Sequence, residues 1–203
     1  MAKTSGSIAK KGGFTSRDSD YKGSIGKLES LVKIKNPAVY KSVKDSIARY
    51  HSVMGVRQRE VKLGEIGGGA LGVHVTSDGK SLMVVLNKST FNKDKNSITK
   101  TISSSYKSGF LTATNKPIAH VVTHELAHAT WNSHLAAPNA KAAGKEIEKV
   151  YKVWTKSRAK SGYGKYATTN MNEFFAETAT RAVHGKSDIY TKKIKSIVKK
   201  YKL

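Results

Sequence analysis

The chain has 203 residues, enough for one hydrophobic core with at most a small appended lobe. It has 37 Lys and Arg against 14 Asp and Glu, a net charge of +23, so its field would attract nucleic acid or another polyanion, an anionic membrane surface, or an acidic protein. It contains no cysteine and no long apolar run, which excludes disulfides, Cys-ligated zinc and a membrane span.

The first 25 residues are rich in Gly, Ser and Lys and nearly devoid of apolar side chains. This composition predicts a flexible basic arm over residues 1–25, followed by a single domain over residues 26–203. The arm lacks the apolar stretch of a Sec signal peptide. We therefore expect a protein that is cytoplasmic, or that is carried in a virion or otherwise delivered without such a signal.

The segment after the arm is predicted to contain helix first and then a glycine-rich turn that leads into a strand. Apolar residues at helical spacing predict one or two helices between Leu28 and Val53, interrupted at Pro37. Residues 61–72 are glycine-rich and formally contain G-x-G-x-x-G, but a strand-like stretch follows where a dinucleotide site needs a helix, so we expect a mobile turn.

Two β-prone segments, 71–76 and 82–86, flank the dipeptide Asp78-Gly79, which favours a tight hairpin turn. The polar stretch that follows contains one candidate short helix, over 97–106. Beyond it the apolar pattern predicts helices over 118–132, 138–159 and 171–184, a loop over 160–170, and a last lysine-faced helix around 190–201.

The motif H-E-x-x-H lies on one predicted helix, as His124, Glu125 and His128. Residues four apart share a helix face, so the two imidazoles can bind one metal ion from the same side. Glu125 borders that face and has the position of a general base beside a metal-bound water. The helix is otherwise apolar, and burying these polar side chains without a partner would be costly. The pattern therefore favours a zinc site.

Catalytic zinc takes three protein ligands and keeps one open position. His134 lies six residues after His128, and no glycine turns the chain back, so the third ligand must come from elsewhere. The best candidate is Glu173 on the predicted 171–184 helix, and Glu177 lies one turn later on the same face. One of them should bind the metal, and the other could orient a ligand histidine.

These segments together resemble a known family. Residues 124–128 read H-E-L-A-H and residues 166–177 read Y-A-T-T-N-M-N-E-F-F-A-E. The two are similar to the catalytic domain of anthrax lethal factor-like zinc metallopeptidases, which occur in bacterial toxins and phage proteins. The resemblance covers about residues 118–203 and leaves roughly the first hundred residues without a counterpart.

The resemblance implies that Glu173 is the third zinc ligand, that Glu125 is the general base and that Tyr166 stabilises the oxyanion. It implies a zinc-dependent endopeptidase acting on a protein or peptide substrate, with a catalytic core over about residues 60–203. The expected fold is α+β and zincin-like: a small, mostly antiparallel sheet packed on the H-E-x-x-H helix, with further C-terminal helices. The 71–87 hairpin could supply an edge strand for an extended substrate.

Other residues have simpler interpretations. His120 could be a ligand or could orient one, but a packed or solvated histidine is favoured. His74 is interpreted as an ordinary strand residue. His184, near a predicted helix end, is interpreted as a positive charge that offsets the helix dipole. Trp131 and Trp154 read as core. The lysines could serve solubility alone or bind nucleic acid. The alternative function is thus a structural or nucleic-acid-associated protein, for example in a virion or other large particle, that keeps the fold without turnover.

Overall fold

A computed structural model describes residues 6–7, 15–16, 25–77, 80–185 and 187–203. Within these ranges seven α-helices follow one another: α1 (Pro37–Met54), α2 (Lys88–Phe91), α3 (Lys95–Lys107), α4 (Pro117–Ala136), α5 (Ala140–Thr155), α6 (Met171–His184) and α7 (Ile189–Tyr201). Short 3-10 helices cover Leu31–Lys33, Arg158–Gly162 and Lys165–Thr168. The strands are β1 (Gly6–Ser7), β2 (Thr15–Ser16), β3 (Glu29–Ser30), β4 (Glu60–Gly64), β5 (Gly72–Ser77) and β6 (Lys80–Asn87).

The strands form one mixed sheet in the order β1-β2-β5-β6-β4-β3. Four of the five strand pairings are antiparallel, and β4 pairs with β6 in parallel. The predicted hairpin is confirmed as the antiparallel pair β5–β6, although its turn residues Asp78 and Gly79 lie outside the described residues. The mixture of segregated helices and sheet confirms the α+β class.

Alternate residues of the sheet face two different cores, as the period of a strand requires. Val84 and Leu86 of β6 belong to the large core that the helices share, whereas Met83 and Val85 belong to a small cluster on the other face. Val73 of β5 lies in that small cluster as well. The intervening β5 residues Gly72, His74 and Thr76 consequently face α4, which packs against both central strands.

Helix α4 is the centre of the helical layer and contacts α1, α3, α5 and α6 as well as the sheet. Its apolar side chains point in all directions, which is typical of a helix buried all round. Trp154 and Trp131 are both buried in the shared core, as predicted. Trp154 packs against Phe174 of α6 at 4.6 Å between ring centroids, which ties α5 to the helix that carries Glu173.

The predicted interruption at Pro37 is confirmed, because the short 3-10 helix Leu31–Lys33 ends before it and α1 begins at it. Pro37 is the first residue of α1, where a missing N–H costs nothing and the fixed φ suits the first turn. The Asn36 side chain caps this end by accepting hydrogen bonds from the backbone N–H groups of Ala38 and Val39. The candidate helix over 97–106 is confirmed within α3, and α4 extends beyond the predicted 132 to Ala136.

Much of the predicted N-terminal arm lies outside the described residues, namely 1–5, 8–14 and 17–24. Its described parts, β1 and β2, pair with each other, and β2 pairs with the outer side of β5 at Val75 and Thr76. Across the described part of the chain, no helix has both the length and the apolar character needed to cross a membrane.

Candidate metal centre

Helix α4 presents the two histidines of the motif on one face. Pro117 starts the helix, and two turns later His124 and His128 lie one turn apart, both buried. Their Nε2 atoms are 3.0 Å from each other. The rings therefore aim the same nitrogen at one point, as the sequence motif predicts for a shared metal ion.

Helix α6 brings a carboxylate to the same point. The Asn170 side chain accepts a hydrogen bond from the Glu173 backbone N–H at 2.9 Å and so fixes the helix start, while Phe174 and Phe175 anchor the helix in the core. Glu173 Oε2 lies 3.2 Å from His124 Nε2 and 3.3 Å from His128 Nε2. A residue 45 positions after His128 thus completes a three-atom cluster.

The dimensions of this cluster suit a tetrahedral ion. Ligand atoms bound at about 2.0–2.1 Å in tetrahedral geometry lie roughly 3.3 Å from one another, close to the spacing of the two Nε2 atoms and Oε2. Glu173 is fully buried, its Oε2 lies beside the two imidazoles, and among the described residues no Lys or Arg pairs with it. Since a buried carboxylate needs compensating charge, these three residues could hold a metal ion.

Each ligand histidine is oriented by a hydrogen bond at its other nitrogen. His124 Nδ1 lies 2.9 Å from Glu177 Oε1, and His128 Nδ1 lies 2.9 Å from Asn172 Oδ1. A donor on Nδ1 leaves the Nε2 lone pair for a metal, which is the usual arrangement around protein-bound metals. Both carboxylates predicted for the site are therefore present, with Glu173 at the cluster and Glu177 behind His124.

Glu177 has further partners that hold it in place. Its Oε2 accepts a hydrogen bond from the Thr112 backbone N–H at 2.7 Å, and its Oε1 is 3.1 Å from His120 Nε2. His120, for which a packed or solvated role was favoured, is buried and contacts the residue that orients His124. Glu177, His120 and His124 also form an alternative trio of potential ligand atoms.

The site favours positive charge at the His124 ring. Burial lowers the pKa of His124, but the hydrogen bonds that its ring donates to Glu173 and Glu177 outweigh burial and raise that pKa well above its ordinary range. Burial raises the pKa of Glu173, yet the charge of His128 and hydrogen bonds from both histidines bring it down to about 2. Glu177 is held well below its usual pKa in the same way, burial being offset chiefly by His120. Proton and metal would compete for this position.

Glu125 points toward the sheet rather than into the helical core. It follows His124 directly in α4, is buried, and lies against the backbone of Gly72 in β5. A Cβ at position 72 would stand only 2.8 Å from Glu125 Cγ. The strand that faces the motif helix thus needs glycine at its first residue, a requirement that the glycine-rich stretch alone does not reveal.

Tyr166 reaches the site from the loop between α5 and α6. Its ring stacks on His124 at 5.6 Å and on Phe110 at 4.9 Å between centroids. The Tyr166 backbone N–H donates to Phe110 O at 2.9 Å, so two loops hold the ring beside the cluster. Gly164 permits this close approach, because a Cβ there would fall 2.3 Å from Phe110 O.

Three other histidines lie away from the ligand cluster. His74 bridges β5 and α4, with Nδ1 3.0 Å from Asn132 Nδ2 and Nε2 3.0 Å from Ser81 Oγ, so it is the strand residue that was predicted. His134 lies 3.0 Å from the Ala140 carbonyl. Burial, with smaller contributions from Arg49, Lys116 and His120, lowers the pKa of His184 to about 4. A neutral imidazole does not offset the helix dipole, so that interpretation of His184 was wrong.

The structure brings the five predicted site residues into one region: His124, Glu125, His128, Tyr166 and Glu173. Sequence reasoning did not identify Asn172, Gly72, Phe110 or the Thr112 N–H. Asn172 could have been recognised from the sequence, because it directly precedes the candidate ligand Glu173. A polar side chain at such a position often forms a hydrogen bond with a ligand histidine. The other three come from segments with no motif of their own.

The chain was compared with protein-family models, with curated proteins and with solved structures, and it matches none of them.

Proposed function

We propose that the protein is a zinc-dependent endopeptidase with a zincin-like fold. The observation that carries this proposal is the convergence of His124 Nε2, His128 Nε2 and Glu173 Oε2 within 3.0–3.3 Å of each other. Two imidazoles and one carboxylate are a known ligand set of catalytic zinc. Three protein ligands leave a coordination position open, whereas structural zinc sites usually have four.

Zinc bound by these residues would lower the pKa of a coordinated water to about 7 and polarise the carbonyl of the scissile bond. Glu125, next to His124 in the helix, accepts the proton of the attacking water and returns it to the leaving amine. The Tyr166 hydroxyl donates a hydrogen bond to the developing oxyanion, a contribution typically worth about 3 kcal/mol. Neither residue would be needed for a purely structural metal site.

The start of β5 lies beside the proposed base, because Gly72 touches Glu125 of α4. An extended peptide aligned with this end of the hairpin would pass Glu125.

The proposal is tested with Glu125→Gln, which preserves the shape of the side chain and removes its basicity. We expect both wild type and variant to carry one zinc per chain, and only wild type to cleave casein or a peptide library. The control is Glu148→Gln, at an exposed carboxylate of α5 that pairs with Lys152. It should leave metal content and cleavage unchanged.

Two outcomes would favour the alternatives. Stoichiometric zinc without cleavage in any peptide screen would indicate a structural protein that retains the fold. Steeply salt-dependent DNA binding without cleavage would indicate a nucleic-acid-associated protein, because each neutralised phosphate contributes to the salt dependence.

A further inference from the structure

A cavity of about 360 Å³ lies at the N-terminal end of α4, away from the zinc ligands on that helix. It opens to solvent and is bordered by α1, the first residues of α3, the start of α4 and the last residue of α6. A volume of this size is within the lower range of small-molecule sites. None of the residues proposed to act in peptide hydrolysis lines it.

Three cations from three different elements line this cavity: Arg49 of α1, Lys95 of α3 and Lys116 just before α4. None of them forms an ion pair within the described part of the chain. Arg49 donates from Nε to the Val183 carbonyl at 2.8 Å, which orients its guanidinium. The lining includes one carboxylate, Asp45, and Lys41 already pairs with it at 2.6 Å. The cavity therefore has a surplus of positive charge.

The start of α4 adds backbone donors to the same cavity. Lys116 occupies the N-cap position without a side-chain hydrogen bond to the helix, and the first turn contains no acidic residue. Pro117 has no N–H, while Ile118 and Ala119 line the cavity. The first N–H groups of a helix have no partner within the helix and, with the helix dipole, favour a bound anion.

His184 points independently to a missing ligand. It lines the cavity and is only 8% exposed, yet neither ring nitrogen has a hydrogen-bond partner among the described residues. A buried polar group without a partner is costly, and a native structure usually explains it by water, an ion or a ligand. An anion in the cavity would offset the charges of Arg49 and Lys116 that act on this ring.

We propose that this cavity binds a phosphate-class anion, either inorganic phosphate or the phosphate of a small monoester. Its several oxygens provide acceptors for Arg49, Lys95, Lys116 and the α4 backbone, and a dianion matches the surplus charge. This site is independent of the proposed zinc chemistry.

The test is calorimetric titration of the full chain with inorganic phosphate and with glycerol phosphate at constant ionic strength, in the presence of a chelator that keeps phosphate from a bound metal. The double variant Lys95→Gln with Lys116→Gln should weaken binding by about tenfold or more. Its control, Lys192→Gln with Lys193→Gln, removes the same charge from exposed residues of α7 and should bind like wild type. Tighter binding of the ester or of the free ion identifies the source of the phosphate.

A second readout follows His184 directly by NMR. Saturating phosphate should raise the pKa of this imidazole by about one unit or more in wild type, because the anion stabilises the protonated ring. The Lys95/Lys116 double variant should lose that response. The proposal is overturned if millimolar phosphate gives no saturable binding, or if both double variants weaken binding equally, since that would show diffuse attraction to surface lysines.

Discussion

Gly72 of β5 and Glu125 of α4 are in contact, and they can approach so closely because glycine has no side chain. An added Cβ would approach Glu125 Cγ to 2.8 Å and its Oε1 to 3.4 Å. The pair therefore joins the strand along which we place the substrate to the residue that we propose as general base. The two residues are 53 positions apart in the sequence, so no local sequence pattern predicts their contact.

Gly72→Ala should displace the Glu125 carboxylate and leave the three metal ligands in place. We expect kcat to fall by about 10–100-fold, since small displacements of a catalytic group have effects of this size. Zinc content should stay at the wild-type level. Steady-state kinetics on a cleaved peptide, together with metal analysis, check this. Gly162→Ala, where a Cβ would come no closer than 3.5 Å to Arg181, is the matched control, and equal activity of both variants would contradict the proposed contact.

Glu177→Gln should weaken zinc binding without removing a ligand. Its carboxylate orients His124 through Nδ1 and also holds His120 and the Thr112 N–H, so the amide would lose charge and mismatch one donor. We expect an affinity about 10–100-fold lower, measured by competition with a chromophoric chelator. Glu148→Gln again serves as the control. An unchanged affinity would show that Glu177 does not orient His124.

Tyr166→Phe keeps the ring that stacks on His124 and Phe110 and removes only the hydroxyl. If the hydroxyl donates to the oxyanion, kcat should fall by about 100-fold, equivalent to about 3 kcal/mol, while zinc content stays the same. The comparison is Tyr151→Phe, whose ring packs on Trp154 and Phe174 in the core. Full activity of the Tyr166 variant would remove this residue from the mechanism.

His184 should make the fold less stable in mild acid. Its pKa is about 4 in the folded chain against 6.5 as the ordinary value, so the unfolded chain binds a proton first as pH falls. Between pH 6.5 and 4 this costs the folded state up to about 3 kcal/mol, and above pH 6.5 it costs nothing. His184→Phe should flatten this part of the pH profile of the unfolding free energy in urea, in phosphate-free buffer. An unchanged slope would contradict the prediction.

Local patterns were sufficient for the helices that carry the site. Pro117 and the spacing of His124 and His128 predict a buried helix with two imidazoles on one face, because helical periodicity is a property of neighbouring residues. The 171–184 helix was predicted with its observed bounds, since Asn170 caps it and paired phenylalanines mark its buried side. Pro37 marked a helix boundary, because proline is unfavourable inside a helix but suits its first turn.

Residue spacing predicted two of the three metal ligands and left two candidates for the third. Glu173 and Glu177 lie one turn apart on α6, and spacing alone allows either to face the histidines. The resemblance to lethal factor-like peptidases favours Glu173, and the packing of α6 on α4 places Glu173 Oε2 at the cluster and Glu177 at His124 Nδ1. The way two helices cross, which depends on all their contacting side chains, decides this.

The sequence by itself determined the residue chemistry: two histidines and a glutamate on one helix, carboxylates on another, no cysteine, and a large excess of lysine. It also determined where most helices and the hairpin lie, because those depend on residues close together in the chain. Only the tertiary structure decided which atoms meet. Gly72 against Glu125, Asn172 beside His128, and His184 among the cations at the start of α4 all join distant segments through packing, and no local periodicity encodes such contacts.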